Sequence, residues 1–209
     1  MKRELTAWPA VLGLCALVAC ELGGSGNGGN GPGPDVTVTL GSTASLDGWV
    51  RTDGNAQTTN GLTGDLSVVT GQGYRQFFSF DLSTIPPGST VTSATLRLYQ
   101  AFVIGSPYTE LGSVAVDHLD YGDMLCCGDY DAAALASAGT LSSDASVGYK
   151  QLVVTARVQA DLAAARTRTQ FRLRFSAADF TNDGGSDNAQ FNEAEAPGGN
   201  LPQLVVTYH

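Results

Sequence analysis

The sequence predicts an all-β fold, an antiparallel two-sheet sandwich interrupted by one or two short helices. Three observations carry the prediction. Apolar side chains recur at every second position in several runs, the period of strands with one buried and one exposed face. Turn-forming clusters punctuate these runs, at Pro86-Pro87-Gly88, Asp183-Gly184-Gly185 and Pro197-Gly198-Gly199. Segments with a helical period are few and short, and no internal repeat is evident.

Along the chain, strands are expected at 35–40, 45–52, 66–70, 74–81, 93–100, 113–119, 150–154, 170–176, 189–192 and 202–209. The alternation is clearest in three of them. In 93–100, Ala94, Leu96 and Leu98 point one way and Thr95, Arg97 and Tyr99 the other. In 170–176, Phe171, Leu173 and Phe175 oppose Arg172 and Arg174, and in the last run Leu204, Val206 and Tyr208 share a face. About ten short strands of this kind bury their apolar faces by packing two sheets together. Phe78, Phe80, Leu82, Leu96 and Leu98 are accordingly assigned to the core. Two helices are expected, over 130–138 and over 155–166, where Thr155 is placed to cap and Val158, Leu162 and Ala165 fall on one side.

The first residues read differently. Lys2 and Arg3 precede an apolar run from Ala7 to Ala19, which is too short to cross a bilayer and has the layout of an export signal. The tetrad Leu17-Val18-Ala19-Cys20 resembles the lipobox of bacterial lipoproteins. The resemblance implies cleavage after residue 19 and acylation of Cys20, giving an exported protein anchored in the cell envelope through several acyl chains. A soluble exported protein cut nearby is the alternative. Glu21, rather than Asp, follows the cysteine, which points to the outer membrane or cell surface in a Gram-negative source. Residues 20–34 form a tether: 23–34 hold seven glycines in twelve positions, and the fourteen residues 21–34 would span roughly 20 Å root-mean-square. The remaining 35–209 suit one domain.

After residue 19 the chain carries nine basic and nineteen acidic residues, a net charge of −10. This balance excludes nucleic acid and electrostatic docking on anionic lipid, and it suits neutral ligands, cationic ligands or calcium. Catalytic signatures are missing: there is no Gly-x-Ser-x-Gly elbow, zinc motif or phosphate loop, and the domain's histidines are His118 and the final His209. A carboxylate pair hydrolyses glycosides only in a defined geometry, which abundance of acids does not supply.

Three groups of residues are candidates for chemistry. Asp183, Asp187, Asn188, Glu193 and Glu195 surround a Gly-Gly turn, an oxygen-rich set suited to calcium, or else a solvated acidic loop that caps its own turns. The segment 117–131 packs Asp117, Asp120, Asp123, Asp129 and Asp131 among His118, Tyr121 and Tyr130, a composition that suits either a second calcium site or stacking on sugar rings. The other reading is a long loop over one end of the sandwich. Inside it lie Cys126 and Cys127, the two thiols left once Cys15 is cut away and Cys20 lipidated. A vicinal disulfide, two free thiols or an intermolecular bridge are the choices in an oxidising compartment. The third group is Arg51, Arg75, Arg97, Arg172 and Arg174 with Trp49, Tyr74 and Tyr99, a cationic and aromatic surface for an anionic polysaccharide if the strands align them, and ordinary outward strand residues otherwise.

The block 74–100, "YRQFFSFDLSTIPPGSTVTSATLRLYQ", with "SLDGWVRT" before it and "VTARVQADL" and "LPQLVVTY" after it, resembles the DNRLRE-type domains that include carbohydrate-binding module family 96. The resemblance covers nearly all of 35–209. It implies a jelly-roll β-sandwich of secreted or surface-attached proteins, a non-catalytic role and a polysaccharide or other glycan as partner. A structural or adhesive envelope protein that binds a protein partner is the competing expectation.

Overall fold

The computed structural model describes residues 33–68 and 71–209. The expected signal, Cys20 and most of the tether lie outside the described residues. The strands are β1 (Val36–Gly41), β2 (Gly48–Arg51), β3 (Ala56–Gln57), β4 (Thr63–Asp65), β5 (Gly73–Asp81) and β6 (Val91–Ile104). After helix α1 (Pro107–Glu110) come β7 (Val114–Leu119), β8 (Ala136–Ser142) and β9 (Gly148–Val153), then helix α2 (Thr155–Ala163), then β10 (Arg168–Phe175), β11 (Asn188–Phe191) and β12 (Gln203–Tyr208). Short 3-10 turns occupy Ala44–Leu46 and Cys127–Asp129.

Every strand pairing is antiparallel. Hydrogen bonding runs continuously through β1-β12-β6-β11-β4-β5-β10-β7-β8, with β9 on the other side of β6 and β2, carrying β3, on the other side of β5. The path doubles back at the short strands β11 and β4. That places β1, β12, β6 and β9 in one layer against β2, β5, β10, β7 and β8 in the other. The long strand β6 spans the corner, pairing with β12 through its first half and β11 through its second. Close backbone approach makes the corner possible: a Cβ on Gly61 would sit 1.7 Å from the Phe191 carbonyl oxygen, and one on Gly64, whose φ is 110°, 2.2 Å from that of Asp187.

The period-two pattern does what it predicts. Ala94, Leu96 and Leu98 from β6 and Leu204, Val206 and Tyr208 from β12 meet Phe78 and Phe80 from β5 and Phe171, Leu173 and Phe175 from β10 in one apolar cluster. Phe78, Phe80 and Phe171 are wholly buried, each contributing roughly 1.5–3 kcal/mol. Helix α2 closes one end by burying Val158 and packing Leu162 on the core. The Pro-Pro-Gly turn is formed, with Ser89 donating to the Pro86 carbonyl at 3.1 Å and Gly88 at φ 84°, the geometry of a type II turn. A smaller cluster, built from Val50, Phe77 and Leu119 with Tyr121, Leu125 and Tyr130, lies where segment 120–135 covers the outside of the second layer.

Several expectations are corrected. The strand expected at 66–70 is instead β4 at Thr63–Asp65, and the run 45–52 divides into a 3-10 turn and β2. The alanine-rich stretch 130–138 is not a helix. Its second half enters β8, because pairing with β7 satisfies the backbone there and overrides local propensity. Thr155 does not cap α2: Val154 holds the cap position, and the Thr155 hydroxyl accepts from the Ala94 N–H at 2.9 Å, tying the helix to β6. Ala165, expected on the helix face, lies beyond the helix end at φ 55°, a left-handed conformation that suits glycine. Ala165→Gly is therefore expected to raise stability by about 0.5–1 kcal/mol, read as a higher urea midpoint at unchanged slope. A lower midpoint would show that the strain is not relieved there.

Candidate functional site

The outward positions of the first layer supply the candidate site. Along β6 the alternation that buries Leu96 and Leu98 turns Arg97 and Tyr99 outward. Tyr99 stands opposite Tyr149 of β9, and Arg97 stands between Gln151 of β9 and Gln203 of β12. The tyrosine rings meet edge to face, 5.2 Å between centroids and 77° between planes. Arg97 lays its guanidinium over the Tyr149 ring, 4.8 Å from the centroid, and donates from Nη1 to the Gln203 amide oxygen at 2.9 Å. Its Nε is buried with no hydrogen-bond partner among the described residues. The Tyr149 hydroxyl donates to the Leu201 carbonyl at 3.3 Å, so that ring is held at its edge, its face and its tip.

Beside this pair, past Ala101, opens a hollow of about 170 Å³ rimmed by Asn60, Gln190, Asn192 and Glu193. It is joined to the tyrosines by the backbone, since the Asn192 N–H donates to the Tyr99 carbonyl at 3.0 Å. The Asn192 side-chain amide is fixed in turn on the Asn200 carbonyl at 3.0 Å, and Glu193 accepts from the Gly61 N–H at 3.0 Å. Aromatic rings beside a hollow of amides and a carboxylate can stack on the C–H face of a pyranose and bond its hydroxyls.

The other sequence candidates go elsewhere. Trp49 and Tyr74 are buried together with Leu62, their rings 4.9 Å apart, so neither presents a face to solvent. Arg51 pairs with Asp53 at 2.6 Å and donates to the Tyr74 hydroxyl at 3.3 Å. Arg75, Arg172 and Arg174 lie on the outer side of the second layer beneath segment 120–135. Arg172 is 5 % exposed, bonded to Asp117 at 2.8 Å and to the carbonyls of Tyr130 and Ala132 at 2.8 and 2.9 Å. Arg174 joins the same carboxylate at 2.9 Å. Burial pushes the Asp117 carboxyl up, but the hydrogen bonds from Arg174 and Arg172 more than offset it and hold it below the usual range. Arg75 reaches Asp179 at 2.6 Å and stacks on Tyr130, 4.0 Å from the ring centroid. Burial raises the Tyr130 hydroxyl above its ordinary pKa, and the nearby Asp179 adds to the effect. Tyr121 is buried too, its hydroxyl on the Leu46 carbonyl at 2.8 Å. The third group is thus split among three environments, and only Arg97 and Tyr99 share an open one.

The oxygen-rich set does not assemble either. Asp183 accepts from the Gly185 N–H of its own turn at 2.7 Å, Asn188 is buried on the Asp65 carbonyl at 2.9 Å, Glu193 belongs to the hollow by Gly61, and Glu195 is exposed. Asp187 is buried, its carboxylate accepting from the Ser106 N–H at 2.5 Å. Among the described residues no three His, Cys, Asp or Glu side chains group to hold a metal ion. Cys126 and Cys127 are unlinked. The reason is local: Cys126 is extended and caps the 3-10 turn, its N–H donating to the Asp129 carboxylate at 2.6 Å, while Cys127 is exposed beside Gly54.

Sequence reasoning missed Tyr149, Gln203, Asn60, Gln190 and Asn192. A signal for Tyr149 existed, because Tyr149, Gln151 and Val153 form an outward alternation that begins one residue before the expected strand. An antiparallel sandwich with tyrosines, amides and one guanidinium on one outer face has the chemistry to recognise polar, ring-bearing ligands. The chain belongs to carbohydrate-binding module family 96, whose model matches residues 38–208. No curated protein matches it.

Proposed function

We propose that the domain is a non-catalytic module that binds polysaccharide on the face of Tyr99 and Tyr149, and that acylated Cys20 holds it at the bacterial cell surface. The observation that carries the reading is the tyrosine pair set side by side across β6 and β9, with Arg97 and Gln203 fixed next to it and the amide hollow continuing the surface. Its position suits a tethered binder. The chain reaches β1 at Val36, opposite Tyr208, at the end of β6 that begins with Val91. Tyr99 lies eight residues further along β6, about 26 Å from that end at the rise of a strand.

A polysaccharide array probed with the purified protein, with and without a calcium chelator, is the first test. Binding to one glycan class is expected, indifferent to chelator. Tyr149→Ala and Tyr99→Ala are each expected to weaken it by about tenfold or more, roughly 1.4 kcal/mol, in a domain that still unfolds cooperatively. Binding that survives both substitutions would remove this face from the reading, and no binding to any glycan would remove the reading itself.

A further inference from the structure

A second recess lies in the other layer, between α2 and the segment that leads from β7 into β8. It encloses about 220 Å³, too little for an oligosaccharide and enough for one compact metabolite. Two polar groups at its base are buried, His118 at 2 % exposure and Asp161 at 1 %. The imidazole Nε2 lies 2.8 Å from one Asp161 oxygen, and Nη1 of Arg166 lies 3.2 Å from the other. Asp161 is thereby engaged on both oxygens, by the imidazole on one and by the Arg166 guanidinium on the other. With Nε2 donating to Asp161, the neutral ring leaves Nδ1 as an acceptor, and Nδ1 has no hydrogen-bond partner among the described residues.

Arg157 stands at the rim of the same recess. Among the described residues every basic side chain lies against a carboxylate except Arg97 and Arg157. In a chain with about twice as many acids as bases, these two are the described arginines available to pair with an anion from outside. Arg97 is occupied by Tyr149 and Gln203. The Arg157 side chain makes no such contact, and the apolar wall beside it is formed by Leu135, 49 % exposed, and Ala160.

We propose that this recess binds a small hydroxycarboxylate, its carboxylate forked on the Arg157 guanidinium, a hydroxyl donating to His118 Nδ1 and its carbon chain lying against Leu135 and Ala160. Arg157 supplies the planar pair of donors that a carboxylate matches. His118 is a positioning acceptor, oriented by Asp161, and it separates a hydroxy acid from a plain carboxylate. The site is independent of the glycan face, which lies in the opposite layer.

Titration calorimetry of the purified protein with D-gluconate tests the assignment, with acetate and sulfate as comparison probes. Saturable binding of gluconate is expected, at least about tenfold tighter than acetate or sulfate. Arg157→Gln, which breaks no side-chain hydrogen bond or ion pair among the described residues, and Ala160→Leu, which fills the recess from the exposed side of α2, are each expected to weaken it by at least about tenfold. Tyr99→Ala is expected to leave it unchanged, and the His118 Nδ1 resonance should shift on saturation. The proposal is overturned by an absence of saturable gluconate binding, by binding that neither substitution weakens, or by sulfate or acetate binding as tightly.

Discussion

Arg172→Ala is expected to destabilise the protein by about 3–5 kcal/mol, the loss typical of removing one partner from a buried ion pair. The side chain is almost wholly enclosed and bonds both the Asp117 carboxylate and the backbone carbonyls of Tyr130 and Ala132. Its removal leaves the Ala132 carbonyl without its donor and the buried Asp117 carboxylate with Arg174 alone, and an unsatisfied buried group carries a penalty of about 1–3 kcal/mol. The arginine also holds segment 120–135 against β10, so the variant should be cleaved by protease within that segment before the rest of the domain. Arg174→Ala is the control. Its side chain is 34 % exposed while sharing the same carboxylate, and its loss should be within about 1 kcal/mol. Urea unfolding separates the two, and equal effects would show that Arg172 acts as an ordinary surface ion pair.

The second large effect depends on pH and rests on Asp47. This carboxyl is fully buried where three segments meet, accepting from the Ser42 hydroxyl, from the Ser79 N–H at 3.4 Å and from the Ala194 N–H at 3.2 Å. Burial pushes its pKa up to about 7 in spite of those hydrogen bonds. The folded protein therefore holds this proton more tightly than the unfolded chain, whose carboxyl titrates near the ordinary value of 3.8. The contribution is fully present below about pH 4 and is lost as pH rises through about 7. At about 1.4 kcal/mol for each pKa unit, the loss amounts to up to about 4 kcal/mol. Asp47→Asn carries no such proton, so its stability should fall less than the wild type's between pH 4 and 7. Parallel curves for the two proteins would mean that Asp47 is ionised throughout, its three donors outweighing its burial.

Much of the fold was legible in the sequence because strand period is a local property. Leu96, Leu98, Phe171, Leu173, Leu204 and Val206 announce their buried face through their spacing alone, and each lies in the core. Where local signals and tertiary pairing compete, the sequence misleads. The alanines before β8 favour a helix in isolation, but β7 offers that stretch a partner. Likewise Thr155 has the chemistry of a cap, yet its hydroxyl is taken by β6.

The site was legible only in fragments. Tyr99 and Arg97 stood out as outward residues of the clearest strand, whereas Tyr149 gains its meaning from lying opposite Tyr99 across a pairing that no local pattern specifies. Trp49, Tyr74, Tyr121 and Tyr130 have the composition of a sugar platform and are enclosed instead. Aromatic composition is the same for a stacking surface and for a packed cluster, and what separates them is which segment lies on top.

By itself the sequence determined an all-β sandwich, its turns, most of its core and an acidic balance unsuited to nucleic acid, since all of these follow from residue type and short-range spacing. Only the tertiary structure decided which layer keeps an open face, because that depends on segment 120–135 folding over the arginines of the second layer while the first layer's Arg97, Tyr99 and Tyr149 stay uncovered. Contacts between residues some forty to fifty positions apart in the chain settle such matters, and chain entropy and burial, summed over the whole molecule, select them.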